Sequence, residues 1–372
     1  MRKNRFCGQN RAGDKRGETA NGILTMIFKN FKNAKKIFRI ALTGLTALTC
    51  AFAAACSSPF SCGGEQKTYY LFTNEKWLAN GTYEVCTYGI EYKKPEADKD
   101  GKEADLPVTI EISPESSLVT KLSWDNYNGT QCFKFETTLT VSGSYQTGGE
   151  SDKKVAGFTD ETTSTCYFLK DKLAPLYSEK TVKNTTPYSS SDGYNFVKTH
   201  YTYSCVYDSS SGKATVTVKD LGKESENDLY YAVENSERTY ENYNNNFIEN
   251  ELMLLFPRTC ALEEGYYQTF KTLDVLSAKI HDMRIAVSTS APSFKYIAPK
   301  GYNVDGVENT GKEINAHNVN ITINSTFAGS ELNFGVASAE TENYRLLTFK
   351  TEYAYSLGSL NYSLKSVKTK AE

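Results

Sequence analysis

The sequence is poor in the residues from which many catalytic sites are built. Only three histidines occur in 372 residues, His200, His281 and His317, each alone among strand-forming neighbours. A hydrolase that needs a His base has few options here, and no metal-ligand spacing is present. There is no Cys-x-x-Cys, which argues against a zinc ribbon or a thioredoxin-type site. No cofactor motif occurs. No apolar run reaches the ~20 residues a membrane-spanning helix needs. Positive charge is scarce where it would matter: residues 1–55 hold eleven Lys+Arg and two Asp+Glu, leaving 31 basic against 42 acidic residues afterwards. A body near −11 gains nothing from phosphate backbones, so nucleic acid is excluded as a partner.

Aromatic residues are abundant instead, with 26 Tyr and 19 Phe. They fit pleated, half-buried surfaces and point to strands.

Residues 1–55 read as an N-terminal extension and signal peptide, with the true start expected at Met26. From there Lys29, Lys32, Lys35, Lys36 and Arg39 form a basic region ahead of the apolar stretch Ile40–Ala55. That stretch is too short to span a bilayer and suits an export signal. Within Phe38–Gly64, the small residues Ala53-Ala54-Ala55 abut Cys56, which resembles the bacterial lipobox. The resemblance implies that Cys56 becomes the first mature residue and carries acyl chains, so that the membrane is a partner through the lipid anchor. Several chains anchor firmly where one is marginal. Residues 56–66 would then be anchor and tether, placing the body at the extracytoplasmic face of the cell membrane.

Residues 67–372 read as a β-rich extracytoplasmic domain, either one sheet or two β halves split near 240. Val108, Ile110 and Ile112 share one face of a strand, as do Phe133, Phe135, Leu139 and Val141, and Val216 with Val218. Further strands are expected over Thr68–Thr73, Thr82–Tyr92, Thr165–Lys170, Phe196–Tyr207, Leu229–Val233, Thr269–Val275, Arg284–Ser288 and Val319–Ile323. A closing hairpin joins Tyr344–Tyr355 to Leu360–Val367. Turn signals such as Asn128-Gly129 and Ser209–Gly212 separate them. The fold class is mainly β: a large antiparallel meander sheet, with curling toward a half-barrel as an option.

The best helical pattern lies at 244–258, where Ile248, Leu252, Leu255 and Phe256 recur at helical spacing before Pro257. One packed helix is expected there. Two loops imitate functional motifs. Glu96-Ala-Asp98-Lys-Asp100-Gly101 spaces carboxylates like a calcium loop but has Pro107 where the bidentate Glu belongs. Ser-x-x-Lys at Ser151 and Ser210 falls in turns, not at a helix start. Neither is a site.

Around 244–258, Glu249-Asn250-Glu251-Leu252 and Arg258 resemble a segment of uncharacterised lipoproteins of low-GC Gram-positive bacteria. That similarity implies an extended antiparallel sheet and no known activity.

Six cysteines follow Cys56, and sequence cannot choose among their pairings. Strand phase places Cys86 and Cys205 on core faces and Cys132 on a polar face, as the exposed thiol. The expected function is that of a lipid-anchored envelope protein, non-enzymatic, binding an envelope ligand or serving a structural role. Two alternatives stand beside it. One is a carrier of lipid in a half-barrel, which needs a cavity of a few hundred Å3 on the concave face. The other is a carbohydrate-binding or carbohydrate-active protein, which needs exposed tyrosines or Trp77 and Trp124 at a cleft. Catalysis there also requires carboxylates ~5–10 Å apart.

Overall fold

The computed structural model describes residues 77–95, 108–147, 154–190, 193–243, 247–276, 279–323, 331–337, 342–352 and 357–370. Cys56 with its flanking signal and tether, the expected strand Thr68–Thr73, the acidic loop Glu96–Gly101 and Ser151 lie outside them.

Among the described residues, eighteen strands join in one sheet. In chain order they are β1 Glu84–Lys93, β2 Val108–Ile112, β3 Ser117–Tyr127, β4 Thr130–Thr147, β5 Lys154–Phe168, β6 Pro175–Ser190, β7 Gly193–Asp208, β8 Lys213–Asp220 and β9 Ser236–Tyr240. There follow β10 Tyr267–Asp274, β11 Lys279–Val287, β12 Ser293–Ile297, β13 Asn303–Val304, β14 Val307–Glu308, β15 Glu313–Ile323, β16 Glu331–Ala337, β17 Leu346–Glu352 and β18 Ser359–Lys368.

From one edge the register runs β9, β8, β7, β6, β5, β4, β3, β1. It continues β18, β17, β16, β15, β11, β10. β2 extends the β3 side of β4, and β12 extends the β11 side of β15. Every named pairing is antiparallel except the two-residue contact of β13 with β18. The long ladder of β1 with β18 welds the two halves of the chain into this single sheet. The sheet is open, since β9 and β10 are not partners.

The pleat explains the core. Val108 and Ile110 are buried with Thr109 and Glu111 exposed, and Phe133, Phe135, Leu139 and Val141 are buried in the same phase. The β3–β4 hairpin turns on Asn128 and Gly129, with φ of 50° and 86°, a geometry with positive φ at both positions that suits Asn-Gly.

Three expectations are corrected. The packed helix near 244–258 is present as two short 3-10 turns, Asn250–Leu252 and Phe256–Thr259, rather than one α-helix. An amphipathic helix leaves one face to solvent, whereas every residue from Phe247 to Cys260 is buried. Polar and apolar side chains here find partners on different walls, so the backbone bends instead of repeating. Leu229–Val233 is a loop, with Leu229 exposed and only Val233 buried. Cys132 is buried, not exposed. Its thiol lies within reach of the Tyr127 backbone. Tyr127 also packs against Tyr167 and Tyr177 at ring separations of 4.9 and 5.5 Å.

The 247–260 segment fills the inner side of the curled sheet. Phe247 bridges to Lys271 of β10, Glu249 and Glu251 reach tyrosines of β7, and Arg258 reaches Glu84 of β1. Phe256 packs edge-on against Phe270 at 4.7 Å.

Candidate functional site

The sheet parts between β5 and β6. β4 pairs with β5 as far as Thr147 with Lys154, and β6 with β7 as far as Ser190 with Gly193. Between them, the β5–β6 ladder stops at Glu161 with Lys183. Backbone groups beyond that point need other partners. Asp160 supplies one, its Oδ1 accepting the Thr185 N–H at 2.7 Å. Tyr145 supplies another, its hydroxyl donating to the Thr185 carbonyl at 3.0 Å. The Tyr145 ring stacks on Phe158 at 4.3 Å and on Phe196 at 5.3 Å, packing this region with aromatic area.

A cavity of about 220 Å3 lies beside the parting, between β5, β6, β7 and the loop after β8. Phe158, Asn184, Thr185 and Thr199 are its buried lining, and Lys183, Lys198, His200, Glu224, Asp228 and Tyr230 stand around it. Asn184 Oδ1 accepts from the Thr199 hydroxyl. Asn184 Nδ2 makes no hydrogen bond within the protein. Both lysines are matched: Lys183 Nζ lies 2.8 Å from Glu224, and Lys198 Nζ lies 2.9 Å from Asp228. The Glu224 ion pair holds Lys183 above its ordinary value and Glu224 below its own.

The loop is fixed to β7 by backbone bonds, Lys198 N–H to the Leu229 carbonyl at 2.8 Å and Tyr231 N–H to the Lys198 carbonyl at 2.9 Å. Asp220 Oδ1, at the end of β8, holds the later part of the loop, lying 2.6 Å from the Tyr230 hydroxyl and accepting the Val233 N–H at 3.0 Å. Burial and the Asp220 carboxylate push the Tyr230 phenol up to about 12.

Two buried charge clusters lie away from this cavity. On the inner face, Glu249 and Glu251 sit side by side. Glu249 Oε2 accepts the Glu251 N–H at 2.5 Å, and its Oε1 accepts from Tyr207 at 3.2 Å. Glu251 Oε1 accepts from the Tyr203 hydroxyl and lies 3.6 Å from Lys180 Nζ. Burial first, and the neighbouring Glu251 second, push the Glu249 carboxyl up. Paired carboxylates therefore exist, but side chains of β6 and β7 occupy them.

Around Glu84, Arg258 Nη1 donates to Oε1 at 2.7 Å and Arg345 Nε to Oε2 at 2.6 Å. Arg345 also reaches Glu342 at 3.1 Å, and Lys312 reaches Glu342 at 2.9 Å. The Arg258 guanidinium lies over the Trp77 ring, 4.1 Å from its centroid.

Of the residues singled out in the sequence, His200 alone of the histidines lines the cavity. His281 lies 3.8 Å from Asp274, and Trp124 packs edge-on against Phe133 at 4.7 Å. Neither Trp lines the cavity. The cavity residues carry no motif. The only trace of them in sequence is the Glu- and Asn-rich interruption after Asp220, bounded by Gly222.

No family model matches the chain, and no curated protein matches it. Among solved structures it is similar to the crystal structure of a beta-barrel-like protein of a domain of unknown function, DUF1849, from Brucella abortus, at a TM-score of 0.44 and 10% identity, over 79% of this chain and 100% of that one.

Proposed function

We propose that this chain is a lipid-anchored protein of the cell envelope, attached through Cys56, whose β-rich body is a non-enzymatic binding module that takes a small polar ligand in the cavity beside β5, β6 and β7. The observation that carries the binding reading is the placement of that cavity. The inner side of the sheet is filled by the chain's own 247–260 segment, while a polar recess opens where the β5–β6 ladder stops. Acyl chains would find buried amide, hydroxyl and ion-paired groups there, each costly to leave beside hydrocarbon. A lipid carrier accordingly draws no support from the described residues. Catalysis draws none either, because Glu224 and Asp228 are both neutralised by lysines.

The anchor is supported by the run of small residues before Cys56 and by the acidic body, which has no electrostatic reason of its own to sit at an anionic membrane. Metabolic labelling of cells with an alkyne fatty acid tests it. The wild-type chain takes up label and Cys56→Ala does not; equal labelling of the two would overturn the anchor.

A further inference from the structure

We infer that the cavity beside β5, β6 and β7 takes one neutral, polyhydroxylated ring, a saccharide unit, recognised through Asn184. The inference rests on the binding reading above and names its ligand class. Size sets the first limit. A volume of about 220 Å3 is below the roughly 300–1,000 Å3 of drug-sized sites, so a single small unit fits.

Charge sets the second. An anion would need an unmatched cation, yet Lys183 and Lys198 each already face a carboxylate, and His200, the other basic residue of the lining, stands near Glu224. A cation would need an unmatched carboxylate, and Glu224 and Asp228 are the ones so occupied. Breaking either pair to bind an ion would exchange one salt bridge for another with little gain. A neutral ligand leaves both intact.

Polarity sets the third. Asn184 is 2% exposed and its Nδ2 has no acceptor in the protein, which is expensive for a buried donor. Once the Asn184 amide turns toward the cavity, a ligand hydroxyl accepts that N–H and can donate in turn to the carboxylates at the rim. Phe158 adds an apolar residue to the same lining, and sugar rings combine apolar C–H faces with hydroxyl edges.

Saturation-transfer NMR on the detergent-solubilised full chain tests this, with glucose, galactose and N-acetylglucosamine as neutral probes. Glycine, glutamate and inorganic phosphate serve as charged ones. Transfer to the ring protons of at least one sugar is expected. Asn184→Asp keeps the acceptor used by Thr199, removes the donor, and should weaken that binding about tenfold, the effect of one hydrogen bond. Gly157→Leu should abolish it, since Gly157 lines the cavity and an added Cβ there meets nothing closer than the Gly143 carbonyl at 3.9 Å. Near-ultraviolet circular dichroism confirms that both variants fold. A charged probe that binds, and is displaced by Gly157→Leu, would overturn the saccharide class and leave the binding module standing. Absence of binding by every probe would overturn both.

Discussion

Asp160 accepts the Thr185 backbone N–H at 2.7 Å one residue past the point where the β5–β6 ladder ends. A side chain thus takes over the work of a carbonyl, and the two strands part without orphaning that donor. The arrangement is demanding, because Asp160 is buried and its Oδ2 finds no partner. Burial pushes its carboxyl well above the usual carboxylate range, so the folded protein holds it protonated over a wide span of pH.

A raised folded value means that the stability Asp160 contributes is full below its unfolded pKa near 4 and is lost as pH rises toward the folded value. Asp160→Asn keeps the acceptor oxygen and cannot ionise. It should equal or exceed wild-type stability at neutral pH and flatten the decline with pH. Asp160→Ala strands the Thr185 N–H and should cost roughly 1–3 kcal/mol. Urea denaturation of the three proteins at several pH values distinguishes them.

Glu249 gives a second pH dependence of the same sign. Its surroundings are Ser178 and Lys180 of β6, Cys166 of β5, Tyr203 and Tyr207 of β7, and Glu251 beside it. Lys180 offsets one carboxylate of the pair, not two. With Glu249 pushed up to about 8, its contribution to stability is intact below the unfolded pKa of ~4.3 and lost as pH rises through about 8. The urea midpoint should fall across that window in the wild type and much less in Glu249→Gln. Parallel curves for the two proteins would show that Glu249 is ionised throughout.

Much of the sheet was legible because its inner face is apolar at alternate positions. Val108–Ile112 is a strand as the alternation predicts, and the Asn128-Gly129 turn joins the strands on either side of it. β6 was not legible. Its buried face carries Ser178, Lys180 and Asn184 besides Val182, and polar residues at alternate positions look like a solvated loop. The same polarity hid the cavity, since nothing local distinguishes a buried Asn184 from an exposed one. The 247–260 segment failed differently. Its leucines do have helical spacing, but Glu249, Asn250, Glu251 and Arg258 are buried with them, and their partners lie on β1, β6, β7 and β10. Only the tertiary fold shows that those charges point inward.

Glu84 lies between two guanidinium groups, and the loss of its charge should be the most damaging single change among these. Burial alone would raise its carboxyl, but Arg258 and Arg345 overcome that and hold it below the ordinary value. A lowered folded pKa contributes stability that is present above the unfolded value near 4.3 and is lost as pH falls through the folded one, opposite in sign to Glu249 and Asp160. Taken with Glu249 and Asp160, stability should therefore peak near the unfolded carboxylate pKa of about 4 and fall on both sides. Glu84→Gln removes the carboxylate that Arg258 and Arg345 share, leaving Arg345 only Glu342 for counter-charge, and should cost roughly 3–5 kcal/mol, the penalty for breaking a buried pair. Arg258 also anchors the 247–260 segment over Trp77, so Trp fluorescence should shift with the loss. The exposed pair Lys295–Glu313, at 2.6 Å, is the control. Lys295→Ala should change stability by less than about 1 kcal/mol. Equal effects at the two sites would mean that the Glu84 cluster is hydrated enough to behave like surface charge.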